Sequence, residues 1–426
     1  MQQDSFVIRA DICYSASPQS LKLYPDGWLV CAEGRSAGAF RALPEQYAGL
    51  PVLDCSGSLV VPGLTDLHVH APQYAFRGQG MDLELLDWLD RYTFPEESKY
   101  ASLDYADQAY RRFVEDVRRG PNTRACVFAT VHRSATIRLM DLLEESGLCT
   151  MVGKVNMDRN CPETLREPSA AGAAQSTRAW LEQSEGRYSR TRPILTPRFI
   201  PSCTDELMGE LGRIQRQYGL PVQSHLSESR SEIAWVRELC PGAGSYGHAY
   251  HAFGLFGGPA CPTVMAHCVY SDGEEAALLK AQNVWVAHCP ASNMNLASGI
   301  APVRRFLRGG LPVGLGSDVA GGTHTSIFKA MADAIQVSKL RWRLVDQSLE
   351  PLTVSEAFYL GTLGGGAFFG KVGSFAPGYE FDALVIDDAR YTPQKQIGLE
   401  TRLERTVYLS DERDILHKFV QGRRRV

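Results

Sequence analysis

The stretch Val60-Val61-Pro62-Gly63-Leu64-Thr65-Asp66-Leu67-His68-Val69-His70-Ala71-Pro72-Gln73-Tyr74 decides how the rest of the chain is read. An apolar run ends in two histidines separated by one residue. Such a run predicts a buried strand. Residues two apart on a strand point to the same side, so His68 and His70 can grip one metal ion together. Four further stretches end in the same way. They place His225 in LPVQSHLSES (220–229), His267 in TVMAHCVY (263–270), His288 in NVWVAHCPASN (283–293) and Asp318 in LPVGLGSDVAGG (311–322). Taken singly, a buried histidine is more often a hydrogen-bonded core residue than a ligand. Polar residues at the ends of five separate strands are better explained by one shared metal. Imidazoles with a carboxylate, and one position left for water, form the hydrolytic zinc arrangement.

Working outward, strand candidates alternate with helical stretches from about residue 62. They end near His70 and at RACVFATVH (124–132), CTMVGKVNMD (149–158), RPILTPRFI (192–200), LPVQSHLSE, TVMAHCVY, NVWVAHCP and LPVGLGSD, which makes eight. TDELMGELGRIQRQYG (204–219) and SDGEEAALLKAQ (271–282) read as helices with N-cap residues at their starts. Eight strands alternating with helices predict an α/β fold, a (β/α)8 TIM barrel, with its site at the C-terminal ends of the strands. All the candidate ligands fall there. The flanks read as short strands: FVIRADICYS, WLVCAEG and PVLDCSGSLVVPG before the barrel, KVGSF, GYEFDALVIDD and TVYLS after it. Asp26-Gly27 is a turn signal. The expected organisation is a barrel over 62–372, with 1–61 and 373–426 combining into one small β-sandwich domain built from both chain ends.

Composition restricts the function class. With 426 residues, 44% hydrophobic and 22% charged, the chain reads as an ordinary globular enzyme. A net charge of −4 argues against a nucleic-acid partner. No apolar run reaches the ~18 residues needed to span a bilayer, so no membrane partner is expected. The start lacks the basic segment and long apolar core of a secretory signal. Eleven cysteines, with no C-x-x-C pair, read as reduced thiols of a cytoplasmic protein. Arg423, Arg424 and Arg425 read as a solvated basic end. His132, His248, His251 and His417 lack a strand-end setting with a partner signal and are taken as non-ligands. His324 is taken as a solvated loop residue.

Glu228 follows His225 by three residues. Ammonia leaves poorly unless it is protonated, and a carboxyl within reach of both water and substrate can carry that proton. A first-turn glutamate stabilised by a helix dipole is the plainer alternative, and the two are compatible.

The stretch PGLTDLHVHAPQY resembles the metal-binding signature of the amidohydrolase superfamily. HAPQY, DLELLDWLDRYTFPEE, GKVNMD, TPRFIPSC, QSHLSES, AHCVY, AHCPASN and GSDVAGG together resemble its guanine deaminases, from about residue 60 to residue 385. The resemblance implies hydrolysis of guanine, a small-molecule substrate, to xanthine and ammonia. It implies one zinc per chain, with iron(II) equally suited, held by His68, His70, His225 and Asp318. His267 matches the residue that hydrogen-bonds the attacking water, and Glu228 the proton shuttle. Asp318 shares in the proton transfer. Gln73, Arg198 and Phe199 match positions that contact the purine, Trp88 lines the pocket, and His288 stands behind the ligands. A homodimer is also implied. The residue types agree with these roles. Arginine offers only donors, which suits the O6 and N7 acceptors of guanine. Glutamine offers a donor and an acceptor for the remaining amide edge, and Phe199 can stack on the ring. The H-x-E and P-C-x-x-C signature of the unrelated cytidine-deaminase fold is absent.

Three alternatives stay open at this point. One is a binuclear cyclic amidase with a carboxylated lysine, for which Lys154 is the candidate. The second is a sibling deaminase acting on a pterin, 8-oxoguanine or an S-adenosyl compound. The third is a non-catalytic scaffold of the same fold, which should have lost ligands.

Overall fold

The computed structural model describes residues 5–392 and 397–426. Strand β5 (Leu64–His70) carries the deciding motif, and all seven of its residues are buried. A parallel strand covered on both faces shows no polar alternation. It pairs in parallel with β6 (Asn122–Phe128), which pairs with β7 (Cys149–Gly153). The fourth barrel position is broken. Thr191–Pro193 (β9) pairs with β7, and Thr196–Pro197 (β10) pairs with the two-residue strand Val155–Asn156 (β8). Pro193 and Pro197 lack N–H groups and cannot continue a ladder there.

The second half runs β11 (Val222–Leu226), β12 (Thr263–His267), β13 (Trp285–His288) and β14 (Val313–Leu315), all parallel. A parallel bridge from Leu195 to Val222 joins the halves. On the other side the Asp318 N–H donates to the His68 carbonyl at 2.8 Å, and the His70 N–H to that of Val319 at 3.1 Å. The barrel closes at the residues expected to do the chemistry. Helices cover it as the sequence predicts. In Asp205–Tyr218 the Thr204 side chain caps the N-terminus and Gly219 ends the helix in a left-handed conformation. Asp272 stands at the N-cap of Gly273–Ala281 without a side-chain capping bond.

Among the described residues, seven strands from both ends form one mixed sheet, the small β-sandwich unit. Its order is β17-β16-β15-β4-β1-β2-β3, where β1 is Phe6–Ser17, β2 Ser20–Ala32, β3 Arg35–Phe40, β4 Val52–Pro62, β15 Ala383–Ile386, β16 Ile415–Val420 and β17 Arg423–Arg424. Phe375, Phe381 and Phe419 pack its core with Ile8, Ile12 and Val60. Buried Arg124 fastens it to the barrel through Asp382 at 2.7 Å and Glu380 at 2.6 Å. Lys418 is fully buried and donates to the carbonyls of Val117, Arg118 and Gly120, at the end of helix Leu103–Arg119.

Five flank expectations need correction. TVYLS lies largely in helix Leu399–Leu409, where Leu403 and Val407 bury one face and the Thr406 hydroxyl donates to the Arg402 carbonyl at 2.9 Å. KVGSF forms no strand, and GYEFDALVIDD is a strand only over Ala383–Ile386. Asp26-Gly27 sits inside β2 at a bulge, where Pro25 and Asp26 face the single residue Asp11 of β1, and the chain reverses between Ser17 and Ser20. Arg423 and Arg424 are a paired strand, although their side chains are exposed.

Candidate active site

The ends of β5, β11, β12 and β14 bring His68, His70, His225, His267 and Asp318 into one buried cluster. His70 Nε2 stands 3.1 Å from His68 Nε2 and 3.2 Å from His225 Nε2. Asp318 Oδ1 lies 3.1 Å from His68 Nε2 and 3.5 Å from His70 Nε2. Neutral imidazoles that aim lone pairs at each other over such distances repel unless a cation or proton lies between them. Ligand atoms bonded to one ion at ~2.0–2.1 Å stand roughly 3 Å apart, so the donor set fits a zinc-sized metal.

The outer ring nitrogens select the tautomers. His225 Nδ1 donates to the Arg198 carbonyl at 2.6 Å, which leaves the Nε2 lone pair facing inward. His267 Nδ1 is bonded to Asn293 Oδ1 at 2.9 Å, with the same result. Burial above all holds His70 and His225 well below the usual histidine range, so both stay neutral. Burial alone would push Asp318 up, but His68 and the other imidazoles outweigh it and hold the carboxylate low. His267 and Asp318 adopt left-handed backbone conformations, with φ of 73° and 47°. Such strain in non-glycine residues concentrates at functional sites. A Cβ on Gly316 would stand 2.9 Å from the Cβ of His68 and 2.8 Å from Cys289 Sγ, so only glycine lets the strands approach this closely.

Glu228 reaches His267 Nε2 with Oε2 at 3.3 Å, while the Ser298 hydroxyl donates to its Oε1 at 3.0 Å. Burial, and next the charge of Asp318, push its carboxyl up to about 8. A carboxyl in that range can both give and take a proton near neutral pH.

A cavity opens beside the cluster. Gln73, Trp88, Arg198 and Phe199 all line it, with Leu85, Leu89 and Leu296 adding apolar wall. Trp88 donates its indole N–H to the Gln79 carbonyl at 3.0 Å, and Phe199 packs edge-on to Trp235. Leu85, Trp88 and Leu89 come from the long crossover between β5 and β6, which folds over the barrel mouth.

Three residues escaped the sequence reading. Asp66 accepts from the N–H groups of His68 and Ser317 and from the Ser317 hydroxyl, tying the first strand to the Asp318 turn. Glu97 accepts from both Gln73 and Arg198. Glu232 lines the cavity, accepts the Glu228 N–H at 3.0 Å, and is pushed up to about 7 by burial and by Glu228. Its signal was present as the Ser229–Glu232 capping box. His288 is buried next to the cluster without joining its ligand groups, and burial lowers it to about 3. His324 is exposed. Lys154, the candidate bridge of a binuclear site, is instead paired with Glu167 at 2.6 Å. Among the described residues, His132, His248, His251 and His417 join no ligand cluster, and no helix is long and apolar enough to cross a membrane.

Residues 59–425 match the model of the amidohydrolase family. The chain is 38% identical to the guanine deaminase of Dictyostelium discoideum over 379 residues, covering 87% of this chain and 83% of that protein. It is 38% identical to the guanine deaminase of Homo sapiens over 377 residues, covering 85% and 82%. A crystal structure of guanine deaminase from C. acetobutylicum, with guanine bound in its active site, superposes with a TM-score of 0.95 at 44% identity and covers 99% of each chain.

Proposed function

The chain belongs to the amidohydrolase family, and from that premise we infer that it hydrolyses guanine to xanthine and ammonia. One observation carries the reading. A single cavity has the imidazole–carboxylate cluster and Glu228 on one side and the base-reading pair Gln73 and Arg198 on the other. His68, His70, His225 and Asp318 would hold the metal, zinc or iron(II), since these ligands suit both. When bound, the metal supplies the Lewis acidity that makes water a nucleophile at neutral pH.

The chain's own residues do the rest. Arg198 donates to the O6 and N7 edge of guanine, Gln73 pairs with the neighbouring amide edge, and Phe199 and Trp88 cover the ring. That pose presents C2 to the cluster. His267 orients the attacking water through Nε2. Glu228 takes up its first proton and delivers it to the ring nitrogen beside C2. The hydroxyl now on C2 gives its proton through Asp318 to the amino group, and the C2–N bond breaks as the C2 carbonyl forms, so that ammonia leaves. The cysteines support residence in a reducing compartment such as the cytoplasm: nine are buried and, among the described residues, none forms a disulfide.

Ammonia release measured across guanine, pterin, 8-oxoguanine and S-adenosyl compounds tests the substrate. Guanine should be turned over best, and a better rate on any of the others would reassign it. Elemental analysis should find about one metal per chain. Two metals with a carboxylated Lys154 would favour the binuclear amidase, against the Lys154–Glu167 pair.

Glu228→Gln should keep the metal and still bind guanine while kcat falls ~10²-fold or more, because an amide cannot shuttle a proton. Steady-state kinetics with a metal assay checks this. A kcat within a few-fold of wild type would remove Glu228 from the mechanism.

A further inference from the structure

Glu97 stands behind the pocket wall. Its side chain is 2% exposed, and both of its oxygens are used. Gln73 Nε2 donates to Oε1 at 3.0 Å, and Arg198 Nη1 donates to Oε2 at 2.6 Å. Gln73 and Arg198 line the cavity, and Glu97 reaches it only through them. It sits on the short helix Phe94–Ser98 of the crossover, 101 positions before Arg198 in the chain. One carboxylate from the covering segment therefore holds both side chains that face the base.

We propose that Glu97 is a positioning residue that sets the donor and acceptor pattern Gln73 and Arg198 present, and thereby fixes which purine edge the site accepts. The proposal rests on the reading of guanine as the substrate.

The argument follows from what each group can do. An ionised carboxylate only accepts, so the Gln73 amide must turn its NH₂ toward Glu97. Its oxygen accepts the Ala320 N–H at 3.3 Å. A flipped amide would set oxygen against carboxylate and N–H against N–H, so one orientation is held. That orientation leaves one N–H and one lone pair for a ligand.

Arg198 is fixed in the same way. One of its five N–H groups is engaged by Glu97, and its guanidinium lies 5.2 Å from the ring centre of Phe94, on the same helix as Glu97. The remaining donors are held as a rigid fork. The pair is buried on both sides, at 3% and 2% exposure, so removing the carboxylate would leave a buried cation uncompensated. None of these contacts involves the imidazole cluster or Glu228.

Glu97→Gln tests this, because it preserves shape while removing the charge and adding a competing donor. The informative substrates are guanine and 2-aminopurine, which is guanine without the O6 oxygen. The KM for guanine should rise roughly 10- to 100-fold, with metal content as in wild type, and the preference for guanine over 2-aminopurine should shrink by a similar factor. A purely structural role would scale both substrates alike. Adding Glu97→Gln to Arg198→Ala should cost less than the two single losses combined, because only the Gln73 contact is left for the second change to disturb. Glu97→Asp keeps the charge but cannot reach both partners, and it gives the same readout if Glu97→Gln folds poorly. If Arg198→Ala collapses the guanine preference and neither Glu97 variant changes it, the positioning role is overturned. If Arg198→Ala itself leaves the preference intact, the reading of guanine's edge by Arg198 falls, and the role of Glu97 falls with it.

Discussion

His68→Ala is expected to lose the metal and turnover together. Its Nε2 lies 3.1 Å from both His70 Nε2 and Asp318 Oδ1, so it is shared by two edges of the ligand cluster. Truncation removes the donor that both edges share. The check is zinc titration followed by thermal unfolding. A metal that binds only the folded state adds about 4 kcal/mol at a thousandfold excess over Kd. Metal-stripped wild type should melt at a higher temperature when zinc is restored, and His68→Ala should not respond. A purified His68→Ala protein with full metal occupancy and normal turnover would refute the ligand assignment.

Adenine should be rejected by a factor of ~10⁴ relative to guanine. Two reasons combine: in the pose that presents C2 adenine has no amino group there to lose, and the Arg198 pair rejects the edge that adenine brings. The Arg198 guanidinium can only donate, and burial at 3% exposure denies it water as a substitute partner. Guanine brings an oxygen to that edge, whereas adenine brings an amino group, another donor. The buried donor would then be left unsatisfied, which costs more than a merely missing contact. Arg198→Ala should raise the KM for guanine sharply and leave the metal in place. Efficient adenine turnover by the wild type, or ordinary guanine kinetics in Arg198→Ala, would show that Arg198 does not read the base.

Much of the barrel was legible in the chain because its strands are buried on both faces. They appear as unbroken apolar runs, and a polar residue at the end of such a run needs a reason to be there. His68, His70, His225, His267 and Asp318 supplied five such reasons in one topological order. The flanks were less legible because their patterns are local and their structure is not. Thr406 and Val407 favour strands by propensity, yet Leu403 and Val407 face the core at helical spacing, and tertiary packing decides. Asp26-Gly27 has turn chemistry, but the left-handed Asp26, with φ of 43°, serves a bulge. Glu97 was hidden for a related reason. A glutamate in the first turn of a helix reads as solvated, and only the folded crossover brings it against Gln73 and Arg198. Asp66 was likewise only a polar residue in the same motif until the barrel closed on Ser317.

The shared sheet also orders events in time. Strand β4 takes β1 on one side in parallel and β15 on the other in antiparallel register. The partner on that second side is encoded roughly 320 residues later, so at ~5–20 residues per second a ribosome needs about 15–60 s to deliver it. Through that interval the nascent chain carries an unpaired strand edge with the apolar sequence Leu59-Val60-Val61, the kind of edge that templates pairing with another chain. The barrel is synthesised within the same interval, and its first long helix still awaits the Lys418 cap. Pausing late in translation would lengthen the exposure, and crowding of nascent chains would turn it into aggregation.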